Sequence, residues 1–142
     1  MAAFVLLLDQ AVKTIVVRIL PPDHSVPLIP GFFSLTHVRN TGIAFGLLSG
    51  LPIVVLLLAA LTVVFLVVYN EGHWQRGPLS RAAAGLLLGG AAGNLSDRIR
   101  LGYVVDYLDL SVWPVFNLAD AAVVSGSALL LLALLRRKRG ET

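Results

Sequence analysis

The order of apolar and polar positions divides the chain into membrane-length runs and two mixed segments. A helix that crosses a bilayer needs about 20 mostly apolar residues. Leu51 to Tyr69 is the clearest such run, because it carries no charge at all. Val115 to Leu135 is the next, and its strongly polar residues, Asn117 and Asp120, both lie near its start. Arg81 to Ser96 is shorter and built from small residues, with Gly85, Gly89 and Gly93 at every fourth position. That spacing aligns the glycines on one helix face, where another helix can approach closely. Phe4 to Leu20 is apolar but interrupted by Asp9, Gln10, Lys13 and Arg18. No basic region or small-residue cleavage site precedes those charges, so the run reads as a first transmembrane helix, short at its N-terminal end, and not as a signal peptide.

Four spans, over 4–20, 51–69, 81–96 and 115–135, place both termini on one side. Arg76 and Arg81 fall between the second and third spans, and Arg136-Arg137-Lys138-Arg139 follows the fourth. The positive-inside rule puts these, with both termini, in the cytoplasm. Segments 21–50 and 97–114 then face outward. Within them, Gly31 to Val38 and Tyr103 to Leu110 are rich in aromatic and β-branched residues, as short strands are. The predicted fold is a single membrane domain over 1–142: an all-α four-helix bundle with a small β-sheet on its outer face. Trp113 and Tyr103 would lie in the outer interfacial belt, Tyr69 and Trp74 in the inner one.

Composition supports the membrane reading. Hydrophobic residues make up 57% of the 142 and charged residues 13%, against about 45–50% and about 25% in soluble domains. Mean hydropathy is +0.85. The net charge of +3 and the high apolar content exclude a disordered chain. A pI near 9.8 does not point to nucleic acid, because the basic cluster ends an apolar run and anchors it. Cysteine is absent, which removes disulfides, thiolate metal sites and cysteine nucleophiles. His24, His37 and His73 form no H-x-x-x-H pair, so zinc peptidase chemistry is not expected. His37 reads as a satisfied surface histidine. No metal or organic cofactor is called for.

Carboxylates at a membrane edge are costly and therefore point to function. The outward segments hold Asp23, Asp97, Asp106 and Asp109, and Asp120 opens the last span. Asp120 has a purely structural explanation, since Asn117-x-x-Asp120 fits a helix N-cap with an acid in the first turn. The same spacing recurs at Asn94-x-x-Asp97, where a helix is ending and capping fits poorly. A pair of carboxylates sharing one proton can serve as acid and base to activate water. For the partner of Asp120, Asp97 is expected to be paired with the adjacent Arg98 and Arg100. Asp106 has apolar neighbours that favour a raised pKa. Asp109 would point to the opposite face of a strand from Asp106. Chemistry alone prefers Asp106 without deciding the matter.

Five blocks, in order along nearly the whole chain, resemble the bacterial lipoprotein signal peptidases, the signal peptidase II family. They are Asp9-Gln10 with Lys13, Arg39-Asn-Thr-Gly-Ile-Ala-Phe-Gly46, Gly89-Gly-Ala-Ala-Gly-Asn-Leu-Ser-Asp-Arg98, Gly102-Tyr-Val-Val-Asp106 and Phe116-Asn-Leu-Ala-Asp120. The resemblance implies an aspartyl endopeptidase of the bacterial cytoplasmic membrane, cutting near the outer face. Its substrates would be diacylglyceryl-modified prolipoproteins, cleaved just before the lipidated cysteine. Asp106 and Asp120 inherit the catalytic roles, and Asn40, Gly42, Asn94, Arg98 and Asn117 the lining and support of the site. Asp9, Lys13 and Asp97 inherit structural roles. The implied partners are the prolipoprotein and membrane lipid, with no nucleic acid, and the chain is expected to act as a monomer. The family usually has a longer run before the Asp-Gln pair. The stretch from Asp106 to Asp120 is also compact, which shrinks the outer element above the substrate.

Two other classes fit parts of the pattern. A proton-coupled transporter would place an acid near the midplane within inverted repeats; only Asp9 could lie deep, and no inverted repeat is present. A non-catalytic assembly subunit would use the glycine stripe but not two N-x-x-D motifs at one membrane face.

Overall fold

The computed structural model describes residues 1–42, 51, 54, 57, 58, 61, 62, 65 and 77–138. Among them are helices α1 (Ala2–Ile19), α2 (Pro78–Leu101) and α3 (Leu118–Lys138), and strands β1 (Ser25–Ile29), β2 (Phe33–Asn40) and β3 (Val104–Asp109). Most of the predicted span 51–69 lies outside the described residues. Its described positions 54, 57, 58, 61, 62 and 65 are helical, and the Thr62 hydroxyl donates to the Leu58 carbonyl at 2.8 Å, as a helical threonine does. Tyr69, His73, Trp74, Arg76 and Arg139 also lie outside the described residues.

The other three predicted spans are helices. Within the described residues, α3 is the one helix long and apolar enough to cross a membrane by length and composition. Helix α1 carries three charged residues and α2 is rich in glycine and polar residues; of their charges, Asp9, Lys13 and Asp97 lie where the two helices meet. Val5, Asp9, Lys13 and Val16 are the buried residues of α1, and intervals of four, four and three keep them on one face. Phe4, Leu7, Leu8, Ile15, Val17 and Ile19 of α1 are exposed. An apolar exterior around a polar seam suits a helix in lipid.

The glycine stripe of α2 receives that seam. A Cβ on Gly85 would meet the Met1 side chain at 2.7 Å, one on Gly89 the Ala2 carbonyl oxygen at 2.6 Å, and one on Gly93 the Asp9 carboxylate at 2.6 Å. Contacts advance in step, 1 with 85, 5 with 89 and 9 with 93, so α1 and α2 run parallel. The other flank of α2 meets α3. Gly90 faces Ala119 and Val123, while Gly126 of α3 faces Leu87 and Ala83, which makes this pair antiparallel.

The strands form one antiparallel sheet in the order β1-β2-β3. Strand β1 was not anticipated from the sequence. Every one of its residues is exposed, so no alternation marks it, and Pro27 is tolerated because β1 is an edge. Helix α2 runs to Leu101, past the predicted end at Ser96, and stops at Gly102, whose φ of 79° is left-handed. Its N–H closes on the Arg98 carbonyl at 3.1 Å, a glycine helix stop. The chain therefore turns at once into β3, and Asp97 lies on a helix instead of in the outer segment.

Candidate active site

Helix α3 begins where the bundle meets the sheet, and the first N–H groups of a helix lack partners within it. Strand β3, helix α1 and the residue just before α3 supply them. The Leu118 N–H donates to the Tyr107 hydroxyl of β3 at 3.2 Å. The Ala119 N–H donates to Asp9 Oδ1 of α1 at 3.0 Å. The Asp120 N–H donates to the side-chain oxygen of Asn117 at 2.9 Å, and Asp120 Oδ2 accepts the Asn117 N–H in return at 3.2 Å. The cap expected at Asn117-x-x-Asp120 is present, yet it occupies only one oxygen of Asp120. The other, Oδ1, accepts the side-chain amide of Asn94 at 2.7 Å.

Asp106 is brought to the same place by the sheet. Val38 pairs with Asp106 and Asn40 with Val104, so Asn40 and Asp106 are diagonal neighbours on one face. Asn40 donates its amide to Asp106 Oδ2 at 2.8 Å, and Asn117 donates to Oδ1 at 2.6 Å. The Asp106 carboxyl is pushed up to about 6 by burial; the Asn40 bond opposes this, the charge of Asp120 adds to it, and the Asn117 bond opposes it. The raised pKa anticipated from its apolar flanks has that origin. Asp109 faces the other way, accepting the Thr36 hydroxyl at 2.9 Å. Tyr107 is also buried, and burial pushes its phenol up to about 12.

Asp97 behaves differently from the sequence expectation. Its partners are not Arg98 and Arg100 but Lys13, at 2.9 Å, and Gln10, at 2.9 Å, with the Val105 N–H at 3.2 Å. Arg98, the next residue on the helix, diverges from Asp97 by about 100°. Arg100, three residues on, lies nearer the side of Asp97 and meets the same glutamine instead of the carboxylate. Arg98 instead donates to the Gly42 carbonyl at 2.9 Å and fixes the turn that follows Asn40. Arg100 donates to Gln10 at 3.1 Å. Lys13 also pairs with Asp9 at 2.9 Å and donates to Asn94 Oδ1 at 2.9 Å. Gln10, a polar amide inside an apolar run of the sequence, thus links Asp97 to Arg100. His37 is buried at 1% exposure, not on the surface. Its Nδ1–H donates to the Leu20 carbonyl at 2.8 Å, tying α1 to the central strand.

A cavity of about 420 Å³ opens beside these groups. Asp106, Asp120, Asn40, Asn94 and Arg98 line its polar end, and Ala91, Trp113, Val115, Phe116, Val123 and Val124 make the rest largely apolar. Trp113 is 59% exposed. Among the described residues no group of His, Asp or Glu has the arrangement of a metal site. A carboxylate pair at one end of an apolar pocket can move protons around a water and a polarised carbonyl.

Apolar helices, a small antiparallel sheet and two carboxylates bracketed by amides thus meet at one cavity. The family model described as signal peptidase (SPase) II matches residues 1–136, and the chain belongs to that family. It is 46% identical over 135 residues to the lipoprotein signal peptidase of Halothermothrix orenii, covering 95% of this chain and 92% of that one. It is 46% identical over 136 residues to the lipoprotein signal peptidase of Pelotomaculum thermopropionicum, covering 94% and 88%. A bacterial membrane enzyme solved by the in meso method at 2.3 Å resolution superposes with a TM-score of 0.90 and 32% identity, over 99% of this chain and 88% of that one. A second, solved at 1.9 Å, gives a TM-score of 0.84 and 34% identity, over 95% and 90%.

Proposed function

We propose that this chain is a lipoprotein signal peptidase working with Asp106 and Asp120 as its catalytic pair. It would cleave diacylglyceryl-modified prolipoproteins just before the lipidated cysteine. The observation that carries the reading is that both carboxylates line the polar end of one apolar cavity. Asp106, with its raised pKa, is the acid and Asp120 the base. Water attacks the scissile carbonyl carbon and gives a proton to Asp120, while Asp106 protonates the carbonyl oxygen. When the C–N bond breaks, the leaving amine takes the proton from Asp120, and Asp106 recovers its own from the hydroxyl left on the carbon. Asn40 and Asn117 hold Asp106, and Asn94 holds Asp120, through neutral amides that add no charge. Arg98 and Gly42 keep the turn after β2 in place.

The same proposal includes the topology. A single domain of four spans with both termini in the cytoplasm is supported by the parallel course of α1 and α2. A chain that crosses twice in the same direction must return between them, and 51–69 is the apolar run available for that return. The sheet follows α1 and α2 at their C-terminal ends, so the site lies near the outer face. Phe4, Leu7, Val124 and Leu131 are exposed, as side chains facing lipid would be, and the enzyme acts as a monomer in that lipid. The test is a gel-shift cleavage assay on a purified diacylated prolipoprotein. Cleavage by the wild type and by neither Asp106→Asn nor Asp120→Asn is expected; unimpaired cleavage by either variant overturns the assignment of the pair.

A further inference from the structure

Lys13 does not line the cavity, and its ammonium is almost wholly buried, at 4% exposure of the side chain. An ammonium has three donors and no acceptor. Here they go to Asp9 at 2.9 Å, Asp97 at 2.9 Å and Asn94 Oδ1 at 2.9 Å. Two carboxylates suffice to account for holding α1 against α2. The third bond, to a neutral amide already engaged elsewhere, does something the ion pairs do not.

An asparagine amide can be turned over at little steric cost, exchanging acceptor for donors. At Asn94 the oxygen accepts from Lys13 and from the Asn117 amide at 3.1 Å. Both of those groups present N–H, and Lys13 can present nothing else. The amide is therefore fixed with its NH₂ toward Asp120, where it donates to Oδ1 at 2.7 Å. Turned over, Asn94 would put an oxygen against Asp120 Oδ1 and leave the ammonium facing NH₂. The Asn117 amide alone gives weaker direction, since it also donates to Asp106 at 2.6 Å.

We infer that Lys13 is a positioning residue for the hydrolysis, acting through the Asn94 amide to hold Asp120 oriented and ready to accept a proton from water. The inference rests on Asp120 being the base. Other charged groups around Asp120 are Asp106 from β3 and Arg98 from α2, with Asp97 behind Arg98. Neither arginine nor acid among them touches the Asn94 side chain, so the relay runs through Lys13 alone among the charges.

The test is a double-mutant cycle of Lys13→Met and Asn94→Leu, read as kcat and KM in single-turnover and steady-state cleavage of a diacylated prolipoprotein. Enzyme in excess keeps slow variants measurable. Lys13→Met is expected to lower kcat by about 10- to 100-fold, less than the about 10²–10⁴-fold of a group that itself transfers the proton, with KM changed less than twofold. In the Asn94→Leu background the same substitution should lower kcat less than twofold, because coupled residues are not additive. If Lys13→Met leaves two buried carboxylates that prevent folding, the triple variant Lys13→Met, Asp9→Asn, Asp97→Asn takes its place in both backgrounds, which removes the three charges together. An equal kcat cost in both backgrounds, or no cost in folded Lys13→Met, overturns the inference while leaving the catalytic pair intact. Normal turnover by Asp120→Asn, measured alongside, overturns the pair and the inference with it.

Discussion

Asn117 and Asp120 cap one another: the Asp120 N–H donates to the Asn117 side chain, and the Asn117 N–H donates to Asp120 Oδ2. A structural and a catalytic reading of this N-x-x-D motif are therefore not alternatives. The helix cap takes Oδ2 and fixes the side chain, leaving Oδ1 to Asn94 and the cavity. The two roles separate by substitution. Asp120→Asn keeps an oxygen for the Asn117 N–H and loses the base, so turnover should fall by about 10³-fold or more; its NH₂ then faces that of Asn94, and the bond to Asn94 is lost. Asp120→Ala loses the base and both bonds its carboxylate accepts, from the Asn117 N–H and the Asn94 amide, and should be less stable than Asp120→Asn by about 1 kcal/mol. Thermal unfolding in micelles beside the cleavage assay checks both; equal stability of the two variants contradicts the capping role.

Asp106 should make the protein less stable as the pH rises. Its carboxyl titrates near 3.8 when unfolded and about 6 when folded. Between those values the folded state holds the proton that the unfolded state has released, so stability declines as pH rises through that window and is level on either side. The displacement corresponds to about 3 kcal/mol. Asp106→Asn cannot titrate. Its melting temperature minus that of the wild type should increase from about pH 4 to about pH 6 and then stay constant. A difference that is flat across the window would show that burial does not raise this group.

Sequence patterns located the three helices and strands β2 and β3 because each is marked locally. The run 4–20 became Ala2–Ile19, 115–135 became Leu118–Lys138, and the stretches 31–38 and 103–110 became β2 and β3. What stayed hidden depends on partners distant in the chain. Asp97 was assigned to the arginines beside it, whereas its cation, Lys13, is on another helix. Nothing local distinguishes a lysine that snorkels from one buried by a glycine stripe opposite. His37 looked like a surface residue for the same reason: the Leu20 carbonyl that receives its Nδ1–H belongs to the end of α1. Strand β1 lacks any alternation, since all five residues are exposed. The pairing of Asp106 with Asp120 came from family resemblance; spacing left Asp109 and Asp97 open until the register of β2 on β3 turned Asp109 away.

The glycine stripe is the condition for α1 to reach the site. Gly89→Ala places a methyl group 2.6 Å from the Ala2 carbonyl oxygen, a backbone atom that cannot rotate aside. The helices must separate, at about 1–3 kcal/mol for an overpacked contact. The first effect should be a lower melting temperature, and the second a fall in turnover, because Asp9 caps α3 and Lys13 touches Asn94 from the same helix. An alanine variant with wild-type stability would mean that α1 and α2 do not pack through this stripe.

The Asn40 amide donates to Asp106 Oδ2 at 2.8 Å, and this bond lowers the pKa that burial raises. If Asp106 must be protonated to act as the acid, kcat/KM should decline above a pKa of about 6, the value in the free enzyme. Asn40→Ala withdraws a donor that favours the ionised form. The decline should therefore move to higher pH, and the variant should retain a larger fraction of its own maximal activity at pH 7 than the wild type does. Its maximal rate should be lower, since the carboxyl is then held by Asn117 alone. The measurement is kcat/KM against pH for both proteins on one diacylated substrate. A limb that shifts to lower pH would assign the titrating acid to a residue other than Asp106.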